Sequence, residues 1–550
     1  MVNNKILFLA IIFLGSFGFS IAQDRYAVFF KYKPQETFSF TQPDQFLTQK
    51  ALARRDREGV SIDSLDLPVS QKYIDGLADK ADLILYSSKW MNALLLVTDE
   101  EGAKEMESLS YVDRVELVAF DFIPNSNSRF VRKIFKSVGI NISIPSNNRK
   151  LQANENPYDF QNNLLRIPEM HEAGFTGKGV TIAVFDIGFP GTDKVASLSH
   201  LFINDKILAT KNFVNPWSET IYSFHQHGTN VLSLIAANEE GVLVSGAPDA
   251  NFILAITEED PTEYKIEEYN WVKAAEFADS LGVDIINSSV GYYDFDDPAM
   301  NYTLEDLDGK TTVIARGANI AAQRGILIVN SIGNYGSKES SLTSPADSDL
   351  VLAVGSVDKD LDVSDFSSRG PTGDGRIKPD LATFGNGVAL IRSNGNLSFA
   401  NGTSFTAPQI TALAAGLWEA KPEWTRAELV ENLIRSASQS DEKDNLIGYG
   451  IPNFYDAYYG EILAVSENEE IIWKVFPNPM VKDDLKIYFG TEIKAEFTLL
   501  DMNGKQIYSS VLYRNSPKDS YRTSLQGLKS GFYIVQMQDQ KDLKRTKLFR

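Results

Sequence analysis

Four polar residues of this 550-residue chain stand where an apolar run ends or begins, and together they make a set suited to acyl transfer. Asp186 follows the β-branched run Val180–Phe185, so its carboxylate falls at the carboxyl end of a buried strand, the edge where open α/β sheets place their sites. His227 opens His227-Gly228-Thr229-Asn230-Val231 ahead of an apolar helical stretch, next to a glycine that allows close approach. Ser404 sits in Gly402-Thr403-Ser404-Phe405-Thr406-Ala407-Pro408, before the apolar run Ile410–Trp418, which puts its hydroxyl near the free backbone N–H groups of a helix start. Asn334 follows the run Ile326–Ser331 within Gly333-Asn334 and presents an amide at the same sheet edge as Asp186.

Taken singly, each has an ordinary explanation: a turn aspartate, a capping or surface histidine, a helix N-cap serine. Taken together they supply a nucleophile, a base, an orienting acid and an amide donor. His225 is a rival base, or half of a metal pair with His227. No cysteine stands nearby to complete a ligand set and no His-Glu-x-x-His pattern exists, so metal hydrolysis is the weaker alternative and no metal ligands are assigned.

Asp186-Ile-Gly, His227-Gly-Thr, Gly333-Asn334 and Gly402-Thr-Ser404-Phe-Thr-Ala-Pro resemble the four signature blocks of the subtilase family, in that family's order and at spacings of 41, 107 and 70 residues. The resemblance implies that Ser404 attacks the scissile carbonyl, that His227 takes and returns the proton, and that Asp186 orients the imidazole. It implies that Asn334, with the Ser404 backbone N–H, binds the oxyanion. Asn287-Ser288-Ser289-Val290-Gly291 resembles the segment that pairs with substrate as an added strand, giving Ser289, Val290 and Gly291, with Gly333, as substrate-binding residues. The chain departs from the commonest family pattern at Asn230, where a second histidine is frequent, and in the Asn-Ser-Ser start of that segment. Neither position is catalytic.

These residues need a scaffold. Between about residues 158 and 459 apolar strand-like runs (Val180–Phe185, Phe252–Ile256, Val283–Asn287, Ile326–Ser331, Val351–Val357) alternate with helical stretches from His227, over Glu267–Leu281, near Thr312–Arg324 and from Ser404. That alternation predicts a three-layer α/β/α parallel-sheet domain. Before it, Tyr26–Tyr32, Ala93–Val97 and Val115–Phe120 around a helix at Glu100–Leu109 predict a small α+β unit over residues 23–122, which resembles the subtilase propeptide, an inhibitory chaperone. The Asn/Ser-rich and basic stretch 123–157 has loop composition, open to proteolysis, and reads as a linker that is cut in maturation. After a polar linker at 460–472, residues 473–550 predict a β-sandwich with the Asn503-Gly504 hairpin signal. Val475-Phe-Pro-Asn-Pro479, Asp501-Met-Asn-Gly504, Leu528-Lys-Ser-Gly-Phe-Tyr533 and the basic end Lys544–Arg550 resemble the sorting domains of type IX secretion cargo, with an accessory binding domain as the alternative.

Composition narrows the partners. Asp plus Glu outnumber Lys plus Arg by 73 to 53, a formal charge of −20 that disfavours nucleic acid and anionic lipid. The absence of cysteine excludes thiol nucleophiles, disulfides and Cys-ligated metals. Residues 1–22 read as a signal peptide, since Lys5 precedes the apolar run Ile6–Phe19 and small residues end at Ala22; the run falls short of the roughly 20 residues a spanning helix needs. No later stretch is apolar enough to span a membrane. The expectation is a serine endopeptidase, secreted or held at the cell surface after passing the periplasm, acting on protein or peptide substrates, inhibited by its own propeptide and recognised by secretion machinery through its C-terminal domain. The alternative is an inactive surface binding protein on the same fold. No cofactor is required; the Asp-rich patches Asp294–Asp297 and Asp358–Asp362 read as solvated loops, with structural calcium as the other reading.

Overall fold

The structure is a computed structural model describing residues 23–122, 156–218, 220–260 and 262–460 and, near the C-terminus, 474–476, 480, 483–489, 492–501, 504–514, 520–529, 531–539 and 543–550. The expected signal peptide, residues 123–155 of the expected linker, and residues 461–473 lie outside the described residues. The chain divides into two units, Met1–Glu461 and Ile462–Arg550.

The first apolar runs form an antiparallel sheet in the order β2-β3-β1-β4, from β1 (Gln23–Phe30), β2 (Leu83–Ser88), β3 (Ala93–Thr98) and β4 (Val112–Phe122). Between them lie α1 (Gln49–Arg57), α2 (Gln71–Ala78) and α3 (Glu100–Glu107), the last N-capped by the Asp99 side chain, which accepts from Gly102 N at 2.8 Å. Strand alternation gives the sheet two buried faces. Tyr26, Val28 and Phe30 pack with Leu77, Ala103 and Met106 of its own helices. Ala27 and Phe29 turn the other way and join a core shared with the following domain.

That domain is built on seven parallel strands: β5 (Thr181–Asp186), β6 (Ile207–Asn212), β7 (Asn251–Ile256), β8 (Ile285–Ser288), β9 (Leu327–Ser331), β10 (Val351–Val357) and β11 (Leu381–Phe384), in the order β11-β10-β9-β8-β5-β7-β6. The chain leaves central β5 toward β6, returns through β7 and then crosses to β8, so the order reverses beside β5 and a crevice opens at the carboxyl ends there. Ile182 and Val184 of β5 pack toward α4 (His227–Ala236) and α7 (Ala407–Ala420). Ala183 and Phe185 pack toward α5 (Ile266–Leu281) and α6 (Val313–Gln323). This is the expected three-layer arrangement.

One expectation is corrected. The helix was placed from Ser404, whereas Thr403–Phe405 form a single 3₁₀ turn and α7 begins at Ala407. Pro408 explains the offset: it has no N–H to donate into a preceding turn and is tolerated in the first turn of a helix.

In the C-terminal unit, β12 (Lys474–Phe476), β13 (Asp484–Tyr488) and β16 (Tyr521–Ser524) form one antiparallel sheet. A second, in the order β15-β14-β17-β18, comes from β14 (Lys494–Asp501), β15 (Gln506–Tyr513), β17 (Phe532–Gln538) and β18 (Leu543–Phe549). Alternate residues of both, among them Leu485, Ile487, Phe497, Leu499, Val535 and Met537, share one core, which makes the β-sandwich. Gly504 has φ +81°, the left-handed backbone that the tight β14–β15 connection needs. Among the described residues no helix is long and apolar enough to cross a membrane.

Candidate active site

Asp186 is the last residue of β5 and His227 the first of α4. The two elements meet closely because residue 228 has no side chain: a Cβ there would lie 2.5 Å from Gly188 O and 3.0 Å from Asp186 Cβ. His227 Nδ1 lies 2.9 Å from both Asp186 carboxylate oxygens. An ionised carboxylate only accepts, so Nδ1 carries a proton, and in the neutral ring it is Nε2 that holds the lone pair. Asp186 is 1% exposed and His227 7%. Burial works against a charged imidazole; the charge and hydrogen bond of Asp186, with the charge of Glu258, outweigh it and hold the His227 pKa above its ordinary value.

Ser404 Oγ donates to Ser289 O at 3.4 Å, and Ser289 Oγ donates to Ser404 O at 3.0 Å. The hydroxyl makes no hydrogen bond to the His227 ring in this state. The two residues are nonetheless neighbours, since the Phe405 ring lies 5.8 Å from the His227 ring, centroid to centroid. Asn334 reaches the same place from the loop after β9. Its Oδ1 accepts from Thr403 N at 2.9 Å and from Thr403 Oγ1 at 3.0 Å, which leaves Nδ2 as the donor end of a fixed amide.

The expected substrate-binding residues follow β8 and β9. Ser289 is the residue that exchanges hydrogen bonds with Ser404, Val290 O accepts from Asn330 Nδ2 at 3.0 Å, and Gly291 is pressed against Thr343, where a Cβ would lie 2.1 Å from its hydroxyl. Gly333, at φ +113°, offers its carbonyl to Ser368 N and Thr403 Oγ1, both at 3.1 Å. His225 accepts from the His227 backbone N–H at 3.3 Å through Nδ1. His171 and His200 each face a backbone carbonyl, of Gly246 and Pro248.

Two neighbours of the candidate residues were not foreseen. Thr403 orients Asn334, and its place directly before Ser404 was the available signal. Glu258 stands two residues beyond β7, next to β5 in the sheet, so the rule that singled out Asp186 applies to it as well. Its carboxylate accepts from Tyr292 OH at 2.6 Å and Thr257 Oγ1 at 2.8 Å. Burial and the charge of Asp186 raise its pKa to about 7 despite those bonds and the pull of His227.

Three carboxylates of the Asp-rich patches accept from backbone N–H groups. Asp358 Oδ1 accepts from the N–H groups of Asp360 and Asp362, Asp297 caps a short helical turn, and Asp296 accepts from Glu263 N. Among the described residues no group of three or more His, Cys, Asp or Glu side chains is arranged to hold a metal ion.

A parallel α/β/α sheet that gathers Asp, His, Ser and Asn side chains at one edge is an arrangement that serine peptidases use. Residues 177–450 match the subtilase family, and the chain belongs to it as a subtilisin-like serine endopeptidase. Residues 25–133 match the peptidase S8 propeptide domain of Bacteroidota, and 474–549 match a secretion system C-terminal sorting domain. The protein is therefore made with a propeptide and is secreted or held at the cell surface as type IX cargo. Subtilisin amylosacchariticus of Bacillus subtilis subsp. amylosacchariticus is 26% identical over 375 residues, 67% of this chain and 81% of its own. Serine protease AprX of Bacillus subtilis is 29% identical over 317 residues, 52% of this chain and 67% of its own. The crystal structure of MycP1 from Mycobacterium smegmatis covers 60% of this chain and 92% of its own at 22% identity and a TM-score of 0.44.

Proposed function

We propose that Asp186, His227 and Ser404 hydrolyse peptide bonds of protein or peptide substrates through an acyl-enzyme, with Asn334 and the Ser404 N–H holding the oxyanion. A substrate strand lies along Ser289–Gly291 and beside Gly333, and its arrival turns the Ser404 hydroxyl from Ser289 O to His227 Nε2. The Oγ–C bond forms as the proton passes to Nε2; the C–N bond then breaks as that proton goes to the leaving amine. Water repeats the sequence and frees the acid. The imidazolium formed in each half is stabilised by Asp186, which stays ionised. The observation that supports this reading is the His227–Asp186 contact, which leaves Nε2 as the nitrogen free to act as base. No step uses a metal.

A fluorophosphonate probe tests the reading together with Asn334. The wild-type protein takes the label at Ser404, an inactive binding protein does not. In Asn334→Ala, labelled Ser404 persists while kcat falls by about 10² to 10³ with KM little changed, since the amide meets charge that exists only in the tetrahedral state. A variant altered mainly in KM moves Asn334 to substrate binding.

Secretion is proposed to run through the signal peptide at residues 1–22 and the C-terminal sandwich, with maturation cleavage inside 123–157 and residues 23–122 acting as inhibitor. The sandwich has its own core and contains none of the four site residues. A chain stopped after Glu470 keeps peptidase activity and fails to reach the cell surface of a host with the type IX apparatus. Normal surface display of that truncation, or loss of its activity, makes the sandwich an accessory domain instead.

A further inference from the structure

Between β1 and α2 the chain makes an excursion, residues 31–68, that supplies no residue to the small sheet's own core. Its helix α1 reads Gln49-Lys-Ala-Leu-Ala-Arg-Arg-Asp-Arg57, a polar sequence, yet Arg54 and Arg55 are each 2% exposed. Both guanidinium groups converge on Asp279, in the last turn of α5, which is wholly buried. Arg54 NH2 donates to Asp279 Oδ1 at 2.5 Å, and Arg55 NH2 donates to the two carboxylate oxygens at 2.8 and 2.9 Å and to Asp66 at 2.8 Å. Lys89 adds a third cation at 3.3 Å. Burial pushes the Asp279 pKa up; Lys89, Arg54 and Arg55 outweigh it and hold the carboxyl below its ordinary value. Arg54 also donates to the carbonyls of Arg324 and Val283.

The contacts continue on either side. Lys50 pairs with Asp284 at 2.8 Å, and the Glu58 carboxylate accepts from Arg426 N at 3.0 and 3.1 Å, at the start of the helix Arg426–Arg435. Glycine is required on the receiving side: a Cβ at Gly282 would lie 2.6 Å from Ala51 N, and one at Gly325 would lie 2.2 Å from the Glu58 side chain.

The receiving groups share one place in the fold. Val283 and Asp284 precede β8, Arg324 and Gly325 precede β9, and Lys50 touches Thr181, the first residue of β5. Asp186, Ser289 and Asn334 lie at the carboxyl ends of the same strands, a strand length of about 17 Å away. The grip is therefore on the opposite edge of the sheet from the proposed chemistry.

We propose that residues 48–66 are the docking anchor through which the propeptide is held on the peptidase once the chain between them has been cut. The proposal rests on the reading of residues 23–122 as the inhibitor. It adds that retention and blockade are carried by opposite ends of the domain. Removing cations from a buried carboxylate leaves an uncompensated charge, so the anchor is the part of the complex most sensitive to single substitutions.

The test uses the full chain carrying Ser404→Ala, with a foreign endoprotease sequence inserted between residues 123 and 155. After cutting, the parent propeptide co-elutes with the peptidase on gel filtration, and Arg54→Ala/Arg55→Ala dissociates at least 100-fold faster on dilution. Should that precursor not fold, Lys50→Ala/Glu58→Ala serves with at least a tenfold effect. A parent propeptide that leaves as soon as the chain is cut, or a variant within threefold of the parent, overturns the anchor. A second arm keeps Ser404 and follows casein cleavage by the cut complex. Retention with full activity removes the inhibitor reading and leaves the anchor standing; inhibition with unchanged dissociation in the variants does the reverse.

Discussion

Ser404→Ala is expected to lower turnover of a protein substrate by about 10⁶, on the scale measured for the nucleophile of subtilisin, a relative of this chain. The fold should not notice. Among the described residues the hydrogen bond lost is the 3.4 Å contact from Ser404 Oγ to Ser289 O, and the exchange removes one oxygen from a turn that keeps its backbone bonds, Phe405 N to Gly402 O and Thr406 N to Thr403 O. Casein hydrolysis and a thermal melt measured side by side check both halves. Cleavage within tenfold of wild type by a protein with an unchanged melt would remove Ser404 from the mechanism.

Asp186→Asn should cost about 10⁴ in kcat, because the amide keeps the shape of the carboxylate but neither its charge nor its demand for a donor at Nδ1. The pH profile carries a second signature. A general base works only when neutral, so a His227 pKa held above the ordinary imidazole value places the acid limb of wild-type activity at a correspondingly higher pH. Without the Asp186 charge, burial dominates, the His227 pKa falls, and the acid limb moves to lower pH. The variant therefore loses less, relative to wild type, near pH 6 than near pH 8. An acid limb that stays in place would mean that another group is the titrating base.

The parts of the fold that could be read from the chain are those whose burial is symmetrical. β5, β7, β8, β9 and β10 are covered on both faces, so their sequences are continuous apolar runs that need no partner to be recognised. β6 and β11 end the sheet. Ile207-Leu-Ala-Thr-Lys-Asn212 is half exposed, and its mixture of residue types is that of any loop. Helix α1 was missed for the opposite reason: its arginines look like solvent residues, and only Asp279, more than two hundred positions later, makes them interior ones. The candidate residues were legible because each stands directly against a strand or helix end. The state of the site was not. The 3₁₀ turn at Ser404, the Thr403 bonds that aim Asn334, and Glu258 beside His227 depend on how three separate loops close over one edge of the sheet.

The charges gathered under the leader domain outlast it. In the precursor Arg25 pairs with Glu259, Lys50 with Asp284, and Arg54, Arg55 and Lys89 with Asp279. Departure of residues 23–122 takes all five cations and leaves an acidic imprint on α5 and the loops at its ends. Those carboxylates then face water without their cations, and dissolved salt shields them over a distance of about 10 Å at 0.1 M ionic strength. An enzyme freed of residues 23–122 would thus rely on the ions of its medium where the precursor carries its own counter-ions.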